Sequence, residues 1–105
     1  MNLTPLNERP NTQAFVADGN IFVSLHGHLI VKAHERFMDG KKLVCLNTHG
    51  YNTNITRDRM NLALNLLGVP AIVSKYRGKF LVDTKLPILY NSPLGEVVLT
   101  ISEEA

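Results

Sequence analysis

The chain has 105 residues, 45% of them hydrophobic and 19% charged, with a formal net charge of +2. That length suits one domain able to bury a core without staples, and the hydrophobic share excludes an intrinsically disordered chain. The weakly basic balance neither demands nucleic acid nor excludes a local basic patch.

Cys45, the single cysteine, excludes an internal disulfide. Its neighbours Val44 and Leu46 predict a buried thiol in a reducing, cytosolic setting. Met1 to Pro10 lacks the charged segment and apolar core of a signal peptide. No apolar run approaches the roughly 20 residues of a membrane span.

Residues 1–13 are polar and carry Pro5 and Pro10, which predicts an extended arm on the surface or on a partner. Ala14 to Ala17 is a short apolar run closed by Asp18-Gly19, a strong hairpin signal before a strand at Ile21 to Leu25. Gly27 interrupts the pattern before His28 to Ala33. It is either the first central residue of a II′ turn or a bulge in one long bent strand. Asp39-Gly40 marks another turn, and Lys42 to Asn47 reads as a strand.

A helix is predicted at about 57–67. Thr56 is placed as its N-cap, Asp58 in its first turn, and Ile55 with Met60 as a hydrophobic staple. Gly68 and Pro70 end it. Ala71 to Tyr76 and Lys79 to Asp83 form a second hairpin about Arg77-Gly78. Leu86 to Tyr90 and Glu96 to Ile101 add two strands, separated by Asn91-Ser92-Pro93. Residues 102–105 read as a frayed acidic tail. The sum is an α+β domain over residues 14–101, with six to eight short, mainly antiparallel strands and one helix packed on them. The helix's apolar arc is wider than one contact face needs, so cover on two sides is expected, one of them a second protomer. Arg59 falls inside that arc and must find acceptors, the nearest being in its own preceding loop.

The richest stretch for chemistry is Asn47 to Asn61. A helix start with exposed N–H groups, Arg57 and Arg59, Thr53 and Thr56, and the ring of Tyr51 would suit a phosphate or a nucleotide. The alternative is a structured Asx/Thr loop that Arg59 ties together. His26 and His28 would share one face of a continuous strand, the spacing of a zinc pair, with His49, His34 or Asp83 as a third ligand. No Cys-x-x-Cys or His-Glu-x-x-His supports a metal, so none is expected. A Cys45–His49 nucleophilic pair lacks a third, orienting group. Carboxylates are scattered, and neither a Walker loop nor a dinucleotide fingerprint is present, so no catalytic residue and no cofactor is assigned. Lys32, Lys41, Lys42, Lys75, Arg77, Lys79 and Lys85 cluster near predicted turns. There they either touch nucleic-acid backbone or simply keep edge strands apart.

Leu25-His26-Gly27-His28-Leu29-Ile30, followed by Gly50-Tyr51-x-Thr53-x-x-Thr56-x-x-Arg59-Met60-Asn61, resembles a set of small bacteriophage proteins. In those the pattern reads roughly L-H-G-H-x-I, then G-W-x-T-x-T-T-x-x-R-L-N. The resemblance covers about residues 21–82. Tyr51 stands where tryptophan is usual, Ile55 where threonine is, and Met60 where leucine is. It implies a phage or prophage origin and a place in the host bacterial cytoplasm, and it implies no mechanism.

The expectation is therefore a small phage accessory protein, an anti-defence protein for example, that binds rather than catalyses. Its ligand would be nucleotide-like or nucleic acid, held by His49, Tyr51, Thr53, Thr56, Arg57 and Arg59. The alternatives are a protein-binding inhibitor of a host enzyme or defence complex, using the arm and a sheet edge, and a metal-dependent hydrolase on His26, His28 and His49.

Overall fold

The computed structural model describes residues 1–92 and 95–103. Pro93 of the expected turn, and Glu104 and Ala105 of the expected tail, lie outside them.

The chain runs α1 (Thr4–Asn7), β1 (Thr12–Ala17), β2 (Asn20–Leu25), β3 (His28–His34), β4 (Lys41–Asn47), α2 (Asn54–Leu66), β5 (Ala71–Tyr76), β6 (Lys79–Thr84), β7 (Ile88–Asn91) and β8 (Glu96–Ser102). Six strands form one antiparallel sheet in the order β1-β2-β3-β4-β8-β7, while β5 and β6 form a separate hairpin. The architecture is α+β, with α2 as the main helix. No helix among the described residues is long and apolar enough to cross a membrane.

Alternation along the strands sets the faces. Val23, Val31, Ala33, Val44, Leu46 and Leu99 point to one side of the sheet and are buried. Met60, Ala63 and Leu64 of α2 pack in the same core, together with Val69 and Val73. This burial supplies most of the driving force, roughly 25 cal/mol for each Å² of apolar surface removed from water.

The tight connections share one chemistry. Asp18-Gly19, His26-Gly27 and Arg77-Gly78 each have two successive residues at positive φ, at 51° and 76°, 52° and 78°, and 51° and 77°. These are type I′ turns, whose twist matches that of the flanking strands. His26-Gly27 corrects the reading of Gly27: it is the second central residue, not the first. The irregularity between β2 and β3 lies elsewhere, because Val23 opposes Val31 while Ser24 opposes Leu29, leaving Ile30 as the extra residue. His26 thus sits in the turn, and His26 and His28 are not successive same-face residues of one strand.

The expected extended arm is a folded segment. Pro5 stands in the first turn of α1, and Leu6 is fully buried in the core. Asn7 donates its side-chain amide to the Ala14 carbonyl at 2.9 Å and accepts from the Ala14 N–H at 2.8 Å. An asparagine side chain stands there in place of a neighbouring strand on the β1 edge.

α2 begins earlier than its cap pattern suggests. Thr53 is the N-cap, its Oγ1 accepting from the Thr56 N–H at 3.2 Å. Thr56 lies inside the helix, buried, and exchanges a hydrogen bond with Thr53 Oγ1 at 2.9 Å. The staple does not form, since Ile55 is 51% exposed. The wide apolar arc is covered by the chain itself, by the sheet on one side and by α1 and β5 on others. It therefore gives no argument for a second protomer. Asn61 fastens α2 to β5, donating to the Val73 carbonyl at 2.8 Å and accepting from the Val73 N–H at 2.7 Å. At the other end of the chain, Ser102 closes β8 and the Glu103 N–H donates to the Gly40 carbonyl at 2.9 Å, so this part of the expected tail is tied down.

Candidate functional site

The loop from β4 to α2 is built by its own polar side chains. Thr48 to Tyr51 is a further I′-type turn: His49 and Gly50 lie at φ 52° and 81°, and the Tyr51 N–H donates to the Thr48 carbonyl at 2.8 Å. Asn47 accepts from the His49 N–H at 2.8 Å, and Thr48 Oγ1 from the Gly50 N–H at 3.3 Å. Thr48 is buried, its N–H donating to the Gly95 carbonyl at 3.1 Å. Asn52 donates to the Gly78 carbonyl at 3.1 Å, tying the loop to the β5–β6 turn. Most of the asparagines and threonines that make the segment look dense in chemistry are thus structural, as the Asx/Thr-loop alternative predicts.

Three rings converge beside this turn. His28 lies 5.6 Å from His49 and 5.0 Å from Tyr51, centroid to centroid, within the range of aromatic contact. His49 Nε2 bonds the Leu29 carbonyl. A carbonyl can only accept, so Nε2 carries a hydrogen and donates it. His28 and Tyr51 line a cavity of about 280 Å³, walled by Leu25, Ile30 and Ile55 and bordered by Thr53 and Thr56. Tyr51 is 54% exposed, so part of its ring is open to a ligand. The first N–H groups of α2, on Asn54 and Ile55, have no intrahelical acceptor and lie at the same end.

The predicted site residues divide. Tyr51, Thr53 and Thr56 border the cavity, and His49 adjoins it through His28. Arg57 and Arg59 do not line it. Arg57 pairs with Asp58 at 3.3 Å on the surface. Arg59 donates from Nε to Thr12 Oγ1 at 3.0 Å, reaching the start of β1 and not its own preceding loop. Leu25 and Ile30, which border the cavity, carry no local signal of a site. Their register relative to the loop depends on the extra residue in β3.

The metal reading finds no third partner. Among the described residues no three His, Cys, Asp or Glu side chains are grouped to hold an ion, and His34 is committed elsewhere, its Nδ1 accepting from the Leu43 N–H at 3.3 Å. The Cys45–His49 pair does not form either. Cys45 is half-buried in mid-strand opposite Lys32 and Val98, and burial, with Glu96 nearby, pushes its thiol above the usual range. Such a group is a poor nucleophile at neutral pH.

No family model, curated protein or solved structure matches the chain, so the site's chemistry is read from its own geometry.

Proposed function

We propose that this chain is a small phage accessory protein that binds a nucleotide-like or nucleic-acid ligand, with a planar ring of the ligand seated against His28 and Tyr51. The supporting observation is the convergence of those rings on an apolar-walled cavity of about 280 Å³ with threonine hydroxyls at its border. Apolar walls and a ring face favour a heterocycle, and hydroxyls able to donate or accept orient its edge. Stacking on an aromatic side chain contributes about 1–3 kcal/mol per base and tolerates any base. Nothing in the arrangement pairs a nucleophile with a base, so the reading is binding without catalysis. In an infected cell, such a protein could sequester a host defence signal.

Thermal denaturation in the presence of a nucleoside and nucleotide panel tests this. A ligand at a thousandfold excess over its Kd stabilises by about 4 kcal/mol. The expected result is a rise in Tm that is lost in Tyr51→Ala while the apo variant melts normally. No shift with any member of the panel, or a shift unchanged in Tyr51→Ala, would contradict the reading.

A second reading, a protein-binding inhibitor, draws on β7. This short strand is the other edge of the six-stranded sheet, and Ile88, Leu89 and Tyr90 are 45%, 59% and 52% exposed. An extended segment of a host protein could add there. Capture of a host protein that survives Tyr51→Ala and is lost in Leu89→Lys would favour it over ligand binding.

A further inference from the structure

A cleft of about 500 Å³ lies between the β5–β6 hairpin and the six-stranded sheet. Register explains its walls. Leu46 of β4 stands opposite Val97 of β8, and Val73 of β5 stands opposite Val82 of β6, so each pair shares a face of its own sheet. Phe80, two residues before Val82, joins the hairpin wall by alternation, and Met60 of α2 supplies the floor. Leu46, Met60 and Val73 are almost fully buried, whereas Phe80, Val82 and Val97 are only half-buried. Among the described residues β6 has β5 as its only strand partner. The apolar side of β6 thus meets the main sheet across a gap that its own side chains do not fill.

The lining is apolar and uncharged. Among the described residues no carboxylate lines the cleft, and the one charged residue there is Lys79. Lys79 precedes Phe80, so by alternation its ammonium group is directed to the hairpin's other face, with Leu81. The polar groups are engaged within the chain. Thr48 Oγ1 accepts from the Gly50 N–H at 3.3 Å, Asn52 donates to the Gly78 carbonyl at 3.1 Å, and the Ser92 N–H donates to the Glu96 carbonyl at 2.8 Å. Walls of this kind select a ligand by the hydrocarbon surface it buries. The cleft is also distinct from the ring cavity, because one loop divides them. Gly50 and Asn52 line the cleft, Tyr51 and Thr53 line the ring cavity, and Thr48 borders both.

We propose that this cleft is a second binding site, which takes the alkyl chain of an uncharged amphiphile. Two strand pairs facing each other make a slot, and a slot suits an extended chain. The chain lies between the Leu46–Val97 and Val73–Val82 pairs, over Met60, whose flexible thioether adapts to its shape. The polar end lies at the rim beside Asn91, which is exposed and stands opposite Val97. The assignment does not rest on the ring-binding reading above.

The test is a chemical-shift titration of ¹⁵N-labelled full-length protein with butanol, hexanol and octanol, and with octanoate and octylammonium. It is run on the wild type, Val82→Phe, Phe80→Ser and Ile72→Ser. The longer alcohols should move the amides of Gly50, Asn52, Phe80, Val82 and Val97. Affinity should rise about fourfold for each added methylene, the factor that one buried CH₂ contributes. Octanol should bind more tightly than either charged analogue. Val82→Phe fills the slot and should weaken octanol about tenfold or more, comparable to losing about two methylenes of burial. Phe80→Ser strips one wall and should weaken octanol as well. Ile72→Ser, on the hairpin's exposed face, should leave its affinity unchanged.

No saturable shift with octanol overturns the site. Shifts grouped instead at Leu25, Ile30, Tyr51 and Ile55 place the chain in the ring cavity and overturn it too. Affinity that is flat along the alcohol series, or tighter binding of octanoate or octylammonium than of octanol, overturns the ligand class. Octanol binding unaffected by both Val82→Phe and Phe80→Ser overturns the cleft as its location. None of these outcomes involves a nucleotide, so the ring-binding reading stands or falls separately.

Discussion

At Gly95 a single hydrogen atom decides the geometry of the site. The residue lies at φ 95°, and a Cβ there would come 2.2 Å from Thr48 Oγ1. Thr48 is the buried first residue of the turn that aims His49 and Tyr51. Gly95→Ala should therefore cost about 3 kcal/mol from backbone strain and overpacking combined. Urea denaturation will measure the loss, and a change below about 0.5 kcal/mol, the size of an ordinary surface substitution, would show that Thr48 yields easily. Cys45 supplies a pH prediction. Its thiol is raised, so the folded protein keeps the proton at pH values where the unfolded chain has lost it. Stability contributed by that neutral thiol is present below the unfolded pKa and declines as pH rises through the window between the unfolded and folded values. The rate of iodoacetamide labelling should accordingly rise at higher pH in the folded protein than in urea-unfolded protein, and coincident profiles would refute the shift.

At the scale of elements, two asparagines do matching work. Asn7 satisfies both backbone groups of Ala14 on β1, and Asn61 does the same for Val73 on β5. Val73 is 2% exposed, and so is less open to replacement waters than Ala14 at 8%. Asn61→Ala should cost about 1–3 kcal/mol and Asn7→Ala about 1 kcal/mol, because only a well-buried orphan bears its full desolvation penalty. Thermal denaturation of the two variants will rank them, and an equal or reversed order would contradict this account of the α2–β5 junction. Basic side chains follow a local logic too: Lys32, Lys42 and Arg77 lie over Phe22, Phe37 and Tyr76 at 5.8, 4.5 and 5.2 Å. Each has an aromatic partner in its own chain. These three need no nucleic-acid backbone to account for their placement near the turns.

Across the whole molecule, the strands and the helix were legible because period-two alternation and Xaa-Gly turns are local signals. Ala71 to Tyr76, for example, is bounded as its pattern predicts. The start of α2 was misread by three residues, since Thr53 and Thr56 are both good caps and only the fold selects between them. The arm folds back because Leu6 is buried in the core with residues of α2 and the sheet and Leu3 packs against that core, and these distant contacts leave no local signal in a mostly polar segment. The site was half legible. Tyr51 and Thr53 stood out by type, whereas the approach of His28 to them depends on the β3 irregularity at Ile30, and that of Arg59 to Thr12 spans distant elements. Neither can be read from spacing. What results is one end of the sheet where the β2–β3 turn and the β4–α2 loop bring His28, His49 and Tyr51 together beside one cavity.

The central claim is that the cavity between His28, Tyr51 and the start of α2 receives a ligand ring. Mapping backbone amide shifts of the wild-type protein during titration with each nucleotide of a panel tests it most directly. The account predicts that at least one nucleotide produces saturable shifts grouped at Leu25, His28, Tyr51, Thr53 and Ile55. Shifts absent throughout the panel, or grouped on β7 or the β5–β6 hairpin, would contradict it.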